Sequence, residues 1–138
     1  MNNLGVVQMS NIEVAQAIYR RFGQGDIPGV MALLHPEIDW IWYGPQEIPW
    51  AGTHKGHQDM LKFFGAIGAT VSVEAYEPRE FLPGENGLVT VLGWQRVRVK
   101  ATHKAWETNW AHVWTIQDGL VVRAREFYDT VPVLAAFK

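Results

Sequence analysis

The sequence predicts an α+β fold with three helices in its N-terminal half, followed by a meander of antiparallel strands. Apolar residues recur at helical spacing early in the chain, whereas from residue 71 onward they alternate with polar residues at a period of two. Turn sequences separate these alternating segments, at 83–87 (PGENG) and at Asp118-Gly119. Helices followed by long strands are typical of helices packed on one face of a curved sheet, which leaves room for a pocket.

The helices are predicted from their end signals. Ser10 and Glu13 form a capping box that starts the first helix, and Gly23 and Gly25 stop it. A shorter helix follows from an Asp26 cap with Pro28 in its first turn, and Pro36 is expected to end it. A third helix is expected from about residue 57 to 66.

The strands are predicted from period-two alternation and from β-branched and aromatic content. A first strand covers 38–43 and leads into a loop that runs through Gly52. Later strands are expected at 71–76, 80–82, 88–100, 104–116 and 120–128, and Thr130 and Pro132 are expected at the start of a short terminal helix.

Composition narrows the function classes. The chain has 138 residues, the size of one domain, with a net charge of −2 and a pI near 6.2, so we expect no nucleic-acid partner. No segment resembles a membrane span, residues 1–9 read as a short loose leader, and no membrane partner is expected. The sequence contains no cysteine, which removes disulfides and thiolate metal sites and favours a cytoplasmic location.

One hairpin holds the candidate acid/base pair. Between Trp110 and Asp129, two alternating segments carry His112 and Glu126, which alternation could place on one sheet face. The number of residues in the turn decides which side chains share a face. A loop with an odd number of residues places His112 and Glu126 on the same face, and a loop with an even number places His112 with Arg123 and Arg125.

Two acidic residues of this hairpin also have a structural interpretation. Glu126 could form an ion pair with a cross-strand arginine such as Arg96 or Arg98, and Asp129 could cap the terminal helix.

The chain has seven tryptophans, an unusual number. Large amphipathic rings suit a pocket for an apolar ligand, although they also fill cores. The candidate ligand-binding residues are Trp40, Trp42, Trp50, Trp110, Trp114 and Tyr128.

Metal and anion sites are weakly indicated. His54 and His57, with Asp59 nearby, lack a third ligand pattern, so no metal is expected. Arg96, Arg98 and Lys100 recur at period two, which could meet an anionic partner but is more typical of a solvated or dimer-facing surface. No nucleotide-binding or cofactor fingerprint occurs, and no cofactor is expected.

The residue order resembles a known family. The features are the Gly25-Asp26 break, His35-Pro36-Glu37, the segments 50–57 (WAGTHKGH) and 111–114 (AHVW), and 125–130 (REFYDT). Together they resemble the SnoaL-like branch of the NTF2-like superfamily, which is related to polyketide cyclases, ketosteroid isomerase and limonene epoxide hydrolase. The resemblance covers residues 10–137 as a single domain. It implies a cone-shaped fold, three N-terminal helices packed in a curved antiparallel β-sheet, and a homodimer formed through the outer sheet face.

The resemblance in fold carries over to the catalytic residues only in part. Polyketide cyclases carry a strand histidine and a later acidic residue, which match His112 and Glu126, with glutamate here in place of aspartate. The isomerase base would fall near Trp42 and its tyrosine near Ile18, so that dyad looks absent, and Tyr19 is expected to point elsewhere. The hydrolase Arg/Asp/Asp set has no clear match.

We therefore predict a cofactor-independent acid/base enzyme of isomerase, cyclase or lyase type. Its substrate would be a small, largely apolar carbonyl compound, with Glu126 and His112 as the catalytic pair. The alternatives are a non-catalytic small-molecule-binding domain and an accessory domain that acts as a dimer.

Overall fold

The computed structural model describes residues 9–138, so the expected leader lies outside the described residues except for Met9. Within that range the secondary structure begins and ends with helices and keeps the long strands between them, which confirms the predicted α+β class. The elements are α1 (Asn11–Gly23), α2 (Ile27–Met31), β1 (Leu34–Trp42), β2 (Gly52–Lys55), α3 (Gly56–Thr70), β3 (Val71–Pro83), β4 (Leu88–Val99), β5 (Ala105–Gln117), β6 (Leu120–Tyr128) and α4 (Thr130–Phe137).

The predicted helix caps are present. Ser10 Oγ accepts a hydrogen bond from the Glu13 N–H at 3.2 Å, and the Glu13 carboxylate accepts one from the Ser10 N–H at 2.9 Å. A cap of this kind stabilises a helix by about 1 kcal/mol. Asp26 caps α2, and Asp129 caps α4 by accepting a hydrogen bond from a backbone N–H, as its structural interpretation predicts.

The first strand begins earlier than predicted. Pro36 was expected to end α2, but α2 ends at Met31 and β1 starts at Leu34. Pro36 lies between the paired positions Leu34 and Asp39, where the register with β6 is irregular. Proline is tolerated there because no ladder hydrogen bond from its nitrogen is needed.

The strands form one sheet in the order β2-β1-β6-β5-β4-β3. The chain crosses through α3 to the far edge at β3 and then returns by antiparallel neighbours to β6, which lies parallel to β1. The sheet is therefore mixed rather than wholly antiparallel. β2 lies at the end of the predicted loop, and it is too short to show alternation.

The two short strands predicted at 71–76 and 80–82 are one strand. β3 continues past two register irregularities, and Pro78 is accommodated because β3 is the edge of the sheet. Such irregularities break the period-two pattern on which the prediction depended.

Helices α1 and α3 pack against the inner face of the sheet, and α4 packs against β5 and β4. Alternate residues of the central strands are buried on this face: Val89, Val91, Gln95, Val97 and Val99 of β4, and Trp106, Thr108, Trp110, His112, Trp114 and Ile116 of β5. None of the helices within residues 9–138 has the length and apolar character needed to cross a membrane.

Candidate active site

The hairpin between β5 and β6 has a two-residue turn. Gln117 pairs with Leu120, and the loop residues Asp118 and Gly119 have φ values of 51° and 79°. Both values lie in the left-handed region that a type I′ hairpin turn requires, and the Asp-Gly sequence is favoured there. A loop of even length, continued by a regular ladder, would direct Arg125 rather than Glu126 to the face of His112.

A β-bulge reverses this outcome. Ile116 pairs with Val121, whereas the preceding residue, Thr115, pairs with Arg123, so Val122 is an extra residue in β6. One extra residue exchanges the two faces of the strand beyond it. As a result His112 lies directly opposite Glu126, with both side chains on the inner face.

His112 and Glu126 are buried together. Their side chains are 1% and 4% exposed, and His112 Nδ1 lies 3.1 Å from Glu126 Oε2. The Glu126 carboxyl makes no hydrogen bond of good geometry with another side chain of residues 9–138, and it lines a cavity. It is therefore free to contact a bound molecule.

Tyrosine hydroxyls satisfy both ring nitrogens of His112. Nδ1 lies 2.6 Å from the hydroxyl of Tyr19 on α1, and Nε2 lies 2.8 Å from the hydroxyl of Tyr128. The Tyr128 hydroxyl is in turn 3.3 Å from that of Tyr76. Either tautomer of a neutral imidazole fits, because one tyrosine can donate while the other accepts. The network thus holds His112 in place without requiring it to be charged.

Burial governs the protonation of the pair. It raises the pKa of Glu126 to about 8, and the indole N–H groups of Trp40 and Trp114 lower it in part. Neither indole N–H forms a hydrogen bond of good geometry, so the two indoles lower the pKa of Glu126 only weakly. Burial also lowers the pKa of His112 well below its usual value. Both shifts favour the uncharged forms, which puts Glu126 within reach of either protonation state near neutral pH.

The arginines that were alternatives for Glu126 are engaged elsewhere. Arg96 pairs with Glu74 at 2.9 Å and with Glu107 at 3.2 Å, and Arg98 pairs with Glu74 at 2.8 Å. These contacts form an ion-pair network on the outer surface, as the solvated-surface interpretation predicts. Glu126 is therefore not locked by an arginine.

Aromatic residues surround the carboxyl. The cavity holds about 650 Å³ when its open mouth is included. Trp40, Trp42, Trp50, Trp114 and Tyr128, all predicted as ligand-binding residues, line it. Trp42 stacks on Tyr128 with ring centroids 4.8 Å apart, so the walls are braced by their own contacts.

Trp110 does not line this cavity, which corrects its predicted role. Its indole stacks on the imidazole of His112 at a centroid distance of 4.0 Å and on Tyr76 at 5.0 Å. Gly93 lies opposite Trp110 on β4, and a Cβ added there would come within 2.2 Å of the indole. The glycine gives Trp110 the space to pack behind His112 instead of facing a ligand.

The histidines of the weak metal pattern bind backbone carbonyls. His54 Nε2 lies 2.8 Å from the Trp50 carbonyl, and His57 Nε2 lies 2.9 Å from that of Leu34. Asp59 accepts a hydrogen bond from the Lys55 N–H. Within residues 9–138 no group of three or more His, Asp or Glu side chains is placed to hold a metal.

Three polar residues of the site were not predicted, namely Tyr19, Tyr76 and Gln95. Tyr19 was expected to point elsewhere, yet Tyr19 and its neighbour Ile18 both line the cavity, because the curved sheet wraps around this side of α1. Gln95 lines the cavity as well and is only 6% exposed. The sequence contains an indication of this role, because Gln95 is a polar residue at one of the alternating positions of β4 that are otherwise apolar and buried.

Sequence comparison places these features in a family. The sequence model of the SnoaL-like domain matches residues 15–124, well over half of the chain. The chain belongs to the SnoaL-like family. The match ends just before Glu126, so it covers His112 but not the acidic member of the pair.

Solved structures share the fold of this SnoaL-like domain. An NTF2-like protein from Burkholderia xenovorans LB400 is 30% identical, with a TM-score of 0.83 over 95% of this chain and 100% of that chain. An NTF2-like protein of unknown function from Burkholderia pseudomallei K96243 is 26% identical, with a TM-score of 0.83 over 93% and 98%. TerC, co-crystallised with polyporic acid, is 27% identical, with a TM-score of 0.81 over 91% and 96%.

These matches confirm the expected NTF2-like cone fold. Among curated protein sequences, none matches this chain.

Proposed function

We propose that this SnoaL-like domain is an acid/base enzyme of isomerase, cyclase or lyase type that acts on a small, largely apolar carbonyl compound. The observation that carries the proposal is the Glu126 carboxyl, which is buried in an aromatic cavity, has a pKa raised to about 8, and pairs with no lysine or arginine of residues 9–138. A carboxyl of this kind exchanges protons at neutral pH.

The proposed chemistry begins with removal of a proton from the carbon next to the substrate carbonyl. The Glu126 carboxylate takes the proton, and the electron pair of the C–H bond moves into an enolate. Glu126, whose pKa burial raises, holds the proton until it returns, and His112, with Nδ1 3.1 Å from Oε2, orients the carboxyl.

The enolate oxygen needs neutral donors, and tyrosines supply them. Burial raises the pKa of Tyr76 and Tyr128 well above the usual value, so both hydroxyls keep their protons. Both residues line the cavity, where a hydroxyl can donate to a developing oxyanion.

The fate of the enolate defines the reaction type. Return of the proton to a different carbon is isomerisation, attack of the enolate carbon on a second carbonyl is ring closure, and loss of a group from the next carbon is elimination. All three share the first proton transfer, which is therefore the step to test. TerC, 27% identical, was co-crystallised with polyporic acid, which supports small-molecule binding in this fold.

The test measures deuterium uptake from D2O into carbon 1 of 2-tetralone, an aromatic ketone with an acidic C–H. We expect the wild-type protein to accelerate the exchange, and Glu126→Gln to slow the catalysed rate by about 10²- to 10⁴-fold. Glu74→Gln, a surface glutamate in the ion-pair network, is the matched control and should keep the rate.

Two outcomes would contradict the enzyme proposal. One is bound 2-tetralone whose exchange the wild-type protein does not accelerate. The other is acceleration that Glu126→Gln leaves unchanged. Either result would favour the non-catalytic binding domain.

We also propose that the domain forms a homodimer through its outer sheet face. Phe127 and Tyr43 point away from the cavity, stack on each other at 4.9 Å, and are 45% and 42% exposed. Leu82 on β3 and Leu88 on β4 are exposed apolar residues elsewhere on that face. An exposed apolar pair such as Tyr43 and Phe127 is typical of association surfaces. Light scattering should give twice the monomer mass for wild type and a lower mass for Phe127→Lys, whereas a wild-type monomer would exclude the dimer.

A further inference from the structure

Gln95 stands out among the residues that line the cavity. It is 6% exposed, and its amide forms no hydrogen bond with any other residue in the range 9–138. Its neighbours on the inner face are Tyr76 on β3 and Thr108 on β5. Thr108 is satisfied by the Asn109 carbonyl, and Tyr76 by Tyr128. The amide atoms of Gln95 keep some accessible surface, and Gln95 lines the cavity, so a ligand or water there can satisfy them.

Gln95 lies further out along β4 than the residue that faces the His112 end of the cavity. Val91 lies opposite His112, and Gln95 is four residues further along β4, about 13 Å at the rise of an extended strand. Beyond it, Val97 lies opposite Val73, which is 41% exposed and forms part of the cavity mouth. Gln95 therefore lies between the buried carboxyl and the mouth.

The cavity walls also limit the charge of a ligand. Among the described residues that line it, none is a lysine or an arginine. A carboxylate or phosphate beside Gln95 would be desolvated without a cation to pair with it, which is unfavourable. A neutral hydroxyl or carbonyl, by contrast, can hydrogen-bond to an amide, which both donates and accepts.

We propose that Gln95 is a specificity-determining residue that hydrogen-bonds a second, neutral polar group at the outer end of the substrate. The substrate class is thereby narrowed to elongated, largely apolar carbonyl compounds with a second hydroxyl or carbonyl far from the reacting carbon. The inference rests on the proposed function for the orientation of the ligand, with its reacting end at Glu126.

The test compares two probes that differ by one hydroxyl group, 2-tetralone and 6-hydroxy-2-tetralone, by quenching of tryptophan fluorescence. We expect the wild-type protein to bind the hydroxylated ketone about two- to twelvefold more tightly, the range for one neutral hydrogen bond. Gln95→Leu should abolish this preference, so that the two ketones bind with affinities within about twofold of each other. Thr108→Val, a buried polar neighbour that does not line the cavity, is the control and should keep the preference.

Charge is tested with 6-carboxy-2-tetralone, which should bind at least about tenfold more weakly than 2-tetralone. A second measurement does not depend on any variant. In ¹⁵N-labelled wild-type protein, the side-chain amide resonances of Gln95 should shift further with 6-hydroxy-2-tetralone than with 2-tetralone.

The inference would be overturned by equal affinities for the two neutral ketones, by a hydroxyl preference that survives in Gln95→Leu, by Gln95 resonances that shift no further with the hydroxylated ketone, or by tight binding of the carboxylate. These outcomes concern affinity alone. Failure of the proposed function appears instead as absent exchange or as exchange that does not depend on Glu126, so the two failures are distinguishable. Absence of binding by both neutral ketones would overturn the substrate class.

Discussion

Replacing Glu126 by glutamine should stabilise the protein, and increasingly so as the pH rises. The glutamate is buried, and its pKa is about 8 in the folded chain against 4.5 for an ordinary glutamate. Between these values the folded state keeps a proton that the unfolded state has released. The stability of the wild-type protein therefore falls as the pH rises from about 4.5 to about 8, and it levels off above that range.

The magnitude follows from the shift. Each pKa unit corresponds to about 1.4 kcal/mol, so the wild-type protein loses roughly 5 kcal/mol across this range through Glu126 alone. That is comparable with the whole stability of many domains. Glutamine has the shape of the protonated side chain and does not ionise. The variant should match wild type near pH 5 and exceed it by about 1.4 kcal/mol for each further pH unit up to about 8.

Urea unfolding followed by tryptophan fluorescence at several pH values measures the difference directly. Burial also lowers the pKa of His112, which makes the stability of both proteins depend on pH. Because His112 is present in both, its contribution to the difference in unfolding free energy largely cancels. A difference that stays constant across the pH range would refute the reasoning. It would mean that Glu126 is already ionised at low pH in the folded protein, as in an ion pair with a charged His112.

Two further substitutions test the surroundings of the pair. Tyr19→Phe removes the 2.6 Å hydrogen bond to His112 and should lower the free energy of unfolding by about 1–2 kcal/mol, whereas Tyr43→Phe on the exposed outer face should have little effect in the same urea assay. Gly93→Ala places a methyl group within 2.2 Å of the Trp110 indole and should cost about 1–3 kcal/mol. Gly65→Ala, where an added Cβ meets nothing within 4 Å in α3, should be neutral or stabilising by up to about 1 kcal/mol, and equal effects at the two glycines would contradict the packing argument.

The helices and the central strands were predictable because their signals are local. The capping box at Ser10 and the Asp26 cap each satisfy backbone groups within three residues. Long alternation in β4 and β5 is likewise read from the chain alone. β2 and the continuity of β3 were not predictable, because pairing with a neighbour rather than the sequence of the strand defines them.

The residues that complete the site depend on tertiary geometry. Tyr19 reaches His112 only because α1 crosses the inner face of the sheet at that level, a fact that helical spacing does not encode. Gln95 is different, since it interrupts a row of buried apolar residues in β4. A polar residue at such a position indicates either a hydrogen-bond partner in the core or a cavity, and here it lines a cavity.

The face on which Glu126 lies shows how one irregularity can decide a site. The turn at Asp118-Gly119 is the two-residue type that its sequence favours, and by parity that turn alone would have pointed the glutamate outward. The extra residue Val122 restores the inward direction. Its trace is visible in the sequence, because Val121 and Val122 are adjacent apolar residues, and the buried positions then resume at Ala124. A break in the phase of alternation within a strand is therefore evidence for a bulge, and it carries as much information about the site as the length of the turn.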